Sequence, residues 1–175
     1  MTAYQRHQEA WKSCERCPLC VRRKRVVLCR GKLPCNVLFV GEAPGVSEDV
    51  LGRPFVGPAG KLLDSIVERA LDGQHDYAMT NLVACIPLGG KTDEPPEESI
   101  KACRPRLQEL VQMALPKLVV RIGKLAAKHF KGDDQDGSFV DITHPAAILR
   151  MDASQQGLAL QRSIAAIESA LEGIE

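Results

Sequence analysis

The sequence predicts an α/β fold: a three-layer α/β/α domain around a central, mostly parallel four-stranded sheet. Two observations predict it. Four short apolar runs, at 37–40, 77–84, 118–122 and 139–143, have the length of buried strands. Segments with helical apolar spacing separate them. Such alternation, with strands apolar almost throughout, is the pattern of a parallel sheet covered on both faces. At 175 residues the chain is long enough to bury a core without disulfides, and 1–175 is taken as one domain.

In order, residues 3–13 form a helix that ends at Ser13, just before Cys14-Glu15-Arg16-Cys17-Pro18-Leu19-Cys20. An N-terminal metal- or cluster-binding segment therefore spans about 10–35. The run Val37-Leu38-Phe39-Val40 breaks at Gly41 into the turn Gly41-Glu42-Ala43-Pro44-Gly45, where glycine and proline impose special backbone conformations. Leu62, Leu63, Ile66, Val67, Ala70 and Leu71 then repeat with helical period over 61–71. The second strand, 77–84, contains Thr80-Asn81 and runs into Cys85 and a turn-rich loop, 86–96. A helix from Glu97 carries Ile100, Cys103, Leu107, Leu110 and Val111 on one side and stops at Pro116. The third strand, 118–122, is followed by Gly123 and a short helix through Phe130. The last strand delivers His144-Pro145, and 154–171 is an amphipathic closing helix.

Composition narrows the function classes. The net charge of +1 argues neither for nor against nucleic acid, but Arg22, Arg23, Lys24, Arg25, Arg30 and Lys32 make a local basic stretch. That stretch suits either a phosphate-contacting patch or a solvated face. No apolar run reaches bilayer length and the N-terminus has no signal-type apolar region, so the expected location is cytoplasmic. In a reducing compartment an odd count of seven cysteines argues for metal or cluster ligation over a disulfide framework.

Four of these cysteines pair by position. Cys14 and Cys17 form one Cys-x-x-Cys, while Cys85 and Cys103 flank the long loop. Zinc and iron–sulfur clusters both satisfy four thiolates, and the spacing does not separate them. Against both stands the reading of Cys85 and Cys103 as small buried apolar residues. Cys20, Cys29 and Cys35 are surplus to the set.

A second constellation falls at the strand ends. In open α/β sheets ligands bind beyond the carboxyl ends of the strands. Glu42, just after the first strand, is placed to orient or deprotonate a water or to stabilise a cation, or else to cap the following turn or pair with Arg53. Glu48 and Asp49 serve as further acids or as helix-terminal charges. His144 is either a structural histidine or a hydrogen-bond donor for a carbonyl or an anionic leaving group. Asn81 pairs with a base or amide edge, and Phe55, in a Gly/Pro-rich loop, stacks on a flat ring. Together they outline a pocket for a planar heterocycle bearing a carbonyl. The glycine-rich turn fits neither the dinucleotide fingerprint nor the P-loop.

These residues resemble a known family. Gly41-Glu42-Ala43-Pro44-Gly45, Glu48-Asp49, Gly52-Arg53-Pro54-Phe55-Val56-Gly57 and Ala59-Gly60-Lys61-Leu62-Leu63-Asp64 resemble the first signature of the family-4 uracil-DNA glycosylases. Thr80-Asn81 through Cys85, the helix bearing Cys103, 116–120, Gly123 and 144–150 continue the resemblance in order, so that it covers most of residues 10–150. The resemblance implies an α/β/α domain with a structural 4Fe–4S cluster on Cys14, Cys17, Cys85 and Cys103. It implies a monofunctional, monomeric DNA glycosylase that flips a pyrimidine, uracil first, from single- or double-stranded DNA and leaves an abasic site. Gly41, Ala43, Phe55, Asn81 and His144 would hold the base, with Glu42, Glu48 and His144 catalytic. Arg22, Arg23, Lys24, Arg25, Leu149 and Arg150 would contact DNA. Three features depart from the family pattern: the loop 86–102, the short connection 131–143, and the extra Cys20. The first two bear on the pocket rim, so a modified pyrimidine is the alternative base; a non-catalytic iron–sulfur DNA-binding module is the rival from another class.

Overall fold

The computed structural model describes residues 1–89, 94–131 and 137–174. The order of elements is α1 (Ala3–Trp11), a 3-10 turn (Pro18–Val21), β1 (Arg30–Gly31), β2 (Val37–Gly41), α2 (Val46–Leu51), α3 (Pro58–Leu71), β3 (Tyr77–Asn81), α4 (Glu97–Ala114), β4 (Leu118–Ile122), α5 (Gly123–His129), β5 (Ser138–Ile142), α6 (Pro145–Leu149) and α7 (Ala153–Glu172). Residues 90–93 of the divergent loop and 132–136 of the short connection lie outside the described residues.

The sheet order is β1-β3-β2-β4-β5. β3, β2, β4 and β5 run parallel, and β1 pairs antiparallel with the edge of β3. The expected sheet of four strands thus gains a fifth. Two residues carry no alternation to read, and Gly31 lies so close to β3 that a Cβ there would sit 2.4 Å from the Tyr77 carbonyl oxygen. β1 also covers part of an otherwise open strand edge.

Alternation along β2 sends its side chains to two cores. Val37 and Phe39 join Met79, Leu118 and Val120 under α3 and α7, where Leu63, Ile66, Ile167 and Leu171 close the layer. Leu38 and Val40 join Ala78 and Val119 under α4 and α5, against Leu107, Val111 and Ala126. Three layers result, as expected. β3 stops at Asn81, short of Ala84, because the neighbouring β2 ends at Gly41 and the chain beyond it turns away at Pro44. α2 and α6, of six and five residues, are too short to display a helical period.

The order in which strands are added reverses about β2, with β3 on one side and β4 on the other. The crevice at such a switch point is where an open parallel sheet receives a ligand. Gly41 is in register with Asn81, and Ile122 with Ile142. Glu42, Asn81, Gly123 and His144 therefore all leave the sheet at one edge. Among the described residues no helix is long and apolar enough to cross a membrane.

Candidate active site

Two glycines form the floor of this edge. A Cβ on Gly41 would lie 2.4 Å from Cζ of Phe55 and 2.5 Å from Oδ1 of Asn81. The aromatic ring and the amide thus meet over a position that tolerates no side chain. Gly123 has φ +86°, and a Cβ there would lie 2.6 Å from Oε1 of Glu42 and 3.2 Å from Cβ of His144. The carboxylate and the imidazole therefore converge on the neighbouring strand end. Ala43, half-buried, follows Glu42 and packs on the core beneath α4.

Phe55 adopts φ 56° and is 6% exposed, an unusual conformation for a bulky residue held by its surroundings. Arg30 donates from Nε to the Pro54 carbonyl (2.7 Å) and from Nη2 to the Phe55 carbonyl (3.1 Å), and pairs with Asp64. Gly60 passes beneath, where a Cβ would sit 1.8 Å from the Phe55 oxygen. Glu48 accepts the backbone N–H groups of Val56 and Gly57, both at 3.1 Å. Its carboxylate is thus engaged in holding the Phe55 loop, whereas Glu42 lies at the sheet edge beside His144.

The two titratable groups at Gly123 are tuned in opposite directions. Burial pushes the Glu42 carboxyl upward; the Leu125 N–H opposes this and the charge of Glu94 adds to it. Burial pushes His144 down, assisted by the Arg150 charge, so it favours the neutral ring. His144 also caps α6, its Nδ1 accepting the Ala146 N–H at 3.1 Å. In the neutral ring that bond leaves the proton on Nε2, which makes Nε2 a hydrogen-bond donor. Leu149 and Arg150, at the end of the same short helix, are exposed.

The basic run divides. Arg22, Lys24 and Arg25 are exposed, although Arg22 also donates to the Leu88 carbonyl. The backbone N–H groups of Lys24 and Arg25 are anchored on the buried Asp49 carboxylate. Arg23 turns inward: Nη1 donates to the Cys14 carbonyl and lies 3.6 Å from Cys85 Sγ. Arg30 is taken up by the Phe55 loop, and Lys32 pairs with Asp76 at 2.7 Å.

Cys14, Cys17, Cys85 and Cys103 line one cavity, together with Trp11, Ala84, Arg16, Arg23 and Arg106. Burial pushes the Cys85 thiol up to about 11, Arg23 draws it down, and Cys103 and Cys17 raise it further. Among the described residues no three His, Cys, Asp or Glu side chains close to single-ion geometry. Cys29 and Cys35 are packed in the core under α4, and burial raises them to about 12 and about 11. Cys20 is in the 3-10 turn.

Glu94 and Arg106 were not singled out by sequence, and Arg30 and Gly123 were named only within the basic stretch and the family motifs. Glycine at a strand end signals Gly123, and Arg106 follows Cys103 by one helical turn. Arg30 is hidden in the basic run, and Glu94 gives no local signal.

Fold and site together give an α/β/α domain with Glu42, Phe55, Asn81 and His144 gathered at the carboxyl edge of a parallel sheet and a separate four-cysteine cavity. The family model described as the uracil DNA glycosylase superfamily matches residues 30–167. A type-4 uracil-DNA glycosylase of Pyrobaculum aerophilum is 35% identical over 170 residues, covering 85% of this chain and 86% of the relative. One from Thermotoga maritima is 37% identical over 135 residues, 77% of this chain and 67% of the relative. One from Sulfurisphaera tokodaii is 37% identical over 130 residues, 74% and 58% respectively. The crystal structure of SMUG2 from Pedobacter heparinus superposes with a TM-score of 0.57 at 12% identity, covering 78% of this chain and 76% of that one, a likeness of fold. The chain belongs to the uracil-DNA glycosylase superfamily, with the type-4 enzymes, and is a DNA glycosylase.

Proposed function

We propose that the protein flips a pyrimidine, uracil in the first place, out of DNA and hydrolyses its N-glycosidic bond, leaving an abasic site. The observation that carries this is the pairing of Phe55 and Asn81 over Gly41 with Glu42 and His144 over Gly123, at adjoining strand ends. A flipped base entering there stacks on Phe55 and presents its edge to the Asn81 amide. The bare backbone of Gly41 and Ala43 lets the ring approach the sheet edge.

As the bond from C1′ to the base nitrogen stretches, its electron pair moves onto the base and the sugar becomes cationic. The Nε2–H of neutral His144 donates to the developing negative charge on the pyrimidine oxygen, a bond stronger in the transition state than in the substrate. Glu42, ionised, faces the cationic sugar. It accepts the proton of the water that adds to C1′, and its raised pKa makes it the better base. Glu48 acts through the Phe55 loop. Leu149 fills the place left in the stack, while Arg150, Arg22, Lys24 and Arg25 follow phosphates.

The four cysteines suit a 4Fe–4S cluster. The donor set is all thiol, and three arginines line the same cavity, where they offset negative charge. Cys14, Cys17, Cys85 and Cys103 would hold the cluster, which would supply a structural tie between the N-terminal segment, the chain after β3, and α4. In this proposal the enzyme works as a cytoplasmic monomer.

The test is abasic-site formation on duplex and single-stranded DNA carrying uracil, hypoxanthine or modified cytosines, with Glu42→Ala and Asn81→Ala as controls. Uracil excision lost in both controls is expected. Excision of a modified cytosine alone would move the substrate, and no abasic product from any of these bases would overturn the enzyme's assignment to altered pyrimidines.

A further inference from the structure

Arg106 carries an unexplained charge. It sits in α4 with no exposed surface, the largest of the fully buried side chains. Isolated charges are costly to bury, so buried ones are paired. Among the described residues no ion pair gives Arg106 a carboxylate. Its Nε is buried without a hydrogen-bond partner, and the residue lines the four-cysteine cavity.

The other end of the guanidinium makes three hydrogen bonds. Nη1 donates to Thr80 Oγ1 at 3.0 Å, and Nη2 donates to the carbonyl oxygens of Asn81 (2.6 Å) and Leu82 (3.0 Å). The Thr80 hydroxyl in turn donates to the Leu28 carbonyl at 2.7 Å. Both carbonyls lie where β3 ends and the Asn81 side chain turns toward Phe55 and Gly41. One cation therefore has one side on the cysteine cavity and the other on the backbone that carries the base-reading amide.

We propose that Arg106 is a positioning residue whose charge is matched by the thiolate-bound cluster and whose fork fixes Asn81, so that cluster occupancy and base recognition are coupled through it. This rests on the cluster and glycosylase assignments above. A four-thiolate cluster brings net negative charge, which offsets the guanidinium and permits it to stay buried. Without that charge the guanidinium is drawn toward water, and the end of β3 loses three of its hydrogen bonds. Arg23 also touches the cavity, but it bonds Cys14 and Cys85 and does not reach β3. The coupling belongs to Arg106.

The test compares R106M, R106K and wild-type full-length chains by iron content, cluster loss to a chelator, midpoint potential, single-turnover uracil excision, and DNA affinity. An apolar replacement relieves the buried charge, so R106M is expected to fold. It should lose the cluster about 10–100-fold faster, as substitutions around metal ligands do. Cluster that remains should have a more negative potential. R106K restores the charge and with it retention and potential, but has no planar fork. Its excision rate should stay about tenfold or more below wild type, with DNA affinity unchanged.

Wild-type retention and potential in R106M would overturn the proposal, as would R106K losing the cluster as fast as R106M. If R106M does not fold, R106K decides: full excision removes the positioning role. If wild type binds no iron, the cluster assignment and this proposal fall together. If it binds the cluster but excises nothing, only the glycosylase assignment falls, and retention and potential still decide the charge match.

Discussion

The strand-end pocket and the cysteine cavity flank the same three residues, Thr80 to Leu82, yet they are built by opposite means. The pocket is made of backbone. Glycines at 41 and 123 admit Phe55, Asn81, Glu42 and His144, and the main-chain N–H of Ala146 orients the last. The cavity is made of charge and thiol: four cysteines and three arginines, among them a cation with a buried, unpartnered Nε. A site of the first kind is preorganised by folding alone. A site of the second kind, on the proposal above, is completed by the cluster that its cysteines would hold. Substitutions should therefore separate the two: pocket changes act on turnover, cavity changes on iron.

The largest effect expected is at Glu42. Glu42→Gln should lower turnover by about 10²–10⁴-fold, the usual contribution of a positioned base. Because burial lifts the Glu42 pKa, the acid limb of kcat/KM should lie above the ordinary carboxylate range and disappear in the variant. Stability should move the other way. A raised folded-state pKa means a contribution present at low pH and lost as pH rises through the folded value. The Gln variant should thus melt above wild type at pH 8, with the gap closing in acid. Thermal melts at both pH values check this, and an unchanged turnover would remove Glu42 from the chemistry.

His144 serves both cap and donor, and one substitution separates these duties. Asparagine is a good N-cap, so His144→Asn should keep the Ala146 N–H satisfied while losing the Nε2 donor. Turnover should fall about 10²–10³-fold with little change in melting. His144→Ala should add a stability loss of about 1 kcal/mol from the missing cap. Equal turnover in His144→Asn and wild type would show that no donor is needed at this position.

How much of this was legible depends on length and register. The four parallel strands are apolar runs with no competing period, and the cysteine set stood out because Cys-x-x-Cys is locally complete. Glu42, Asn81 and His144 could be placed since each follows a strand directly. β1, α2 and α6 could not, because two to six residues do not display a period. The distinction between Glu42 and Glu48 was also out of reach: it depends on the Val56 and Gly57 N–H groups, which a left-handed Phe55 helps present. Arg106 lay in plain view three residues after Cys103. A charge on a buried helical face reads as the edge of that face until the contacts of its guanidinium are known.

The smallest effect tests the boundary between the two regions within a single basic run. Lys24 is exposed, whereas neighbouring Arg23 is turned onto Cys14 and Cys85. If Lys24 meets a phosphate, Lys24→Ala should reduce the slope of log affinity against log salt by about 0.9, or about 0.7 on single strands. Base preference should not change. Arg23→Ala should leave that slope alone and instead shorten cluster lifetime. DNA binding across a salt series, with iron measured on the same samples, resolves the pair. Equal slope changes in both variants would put Arg23 on the DNA and leave Arg16 and Arg106 as the cavity's cations.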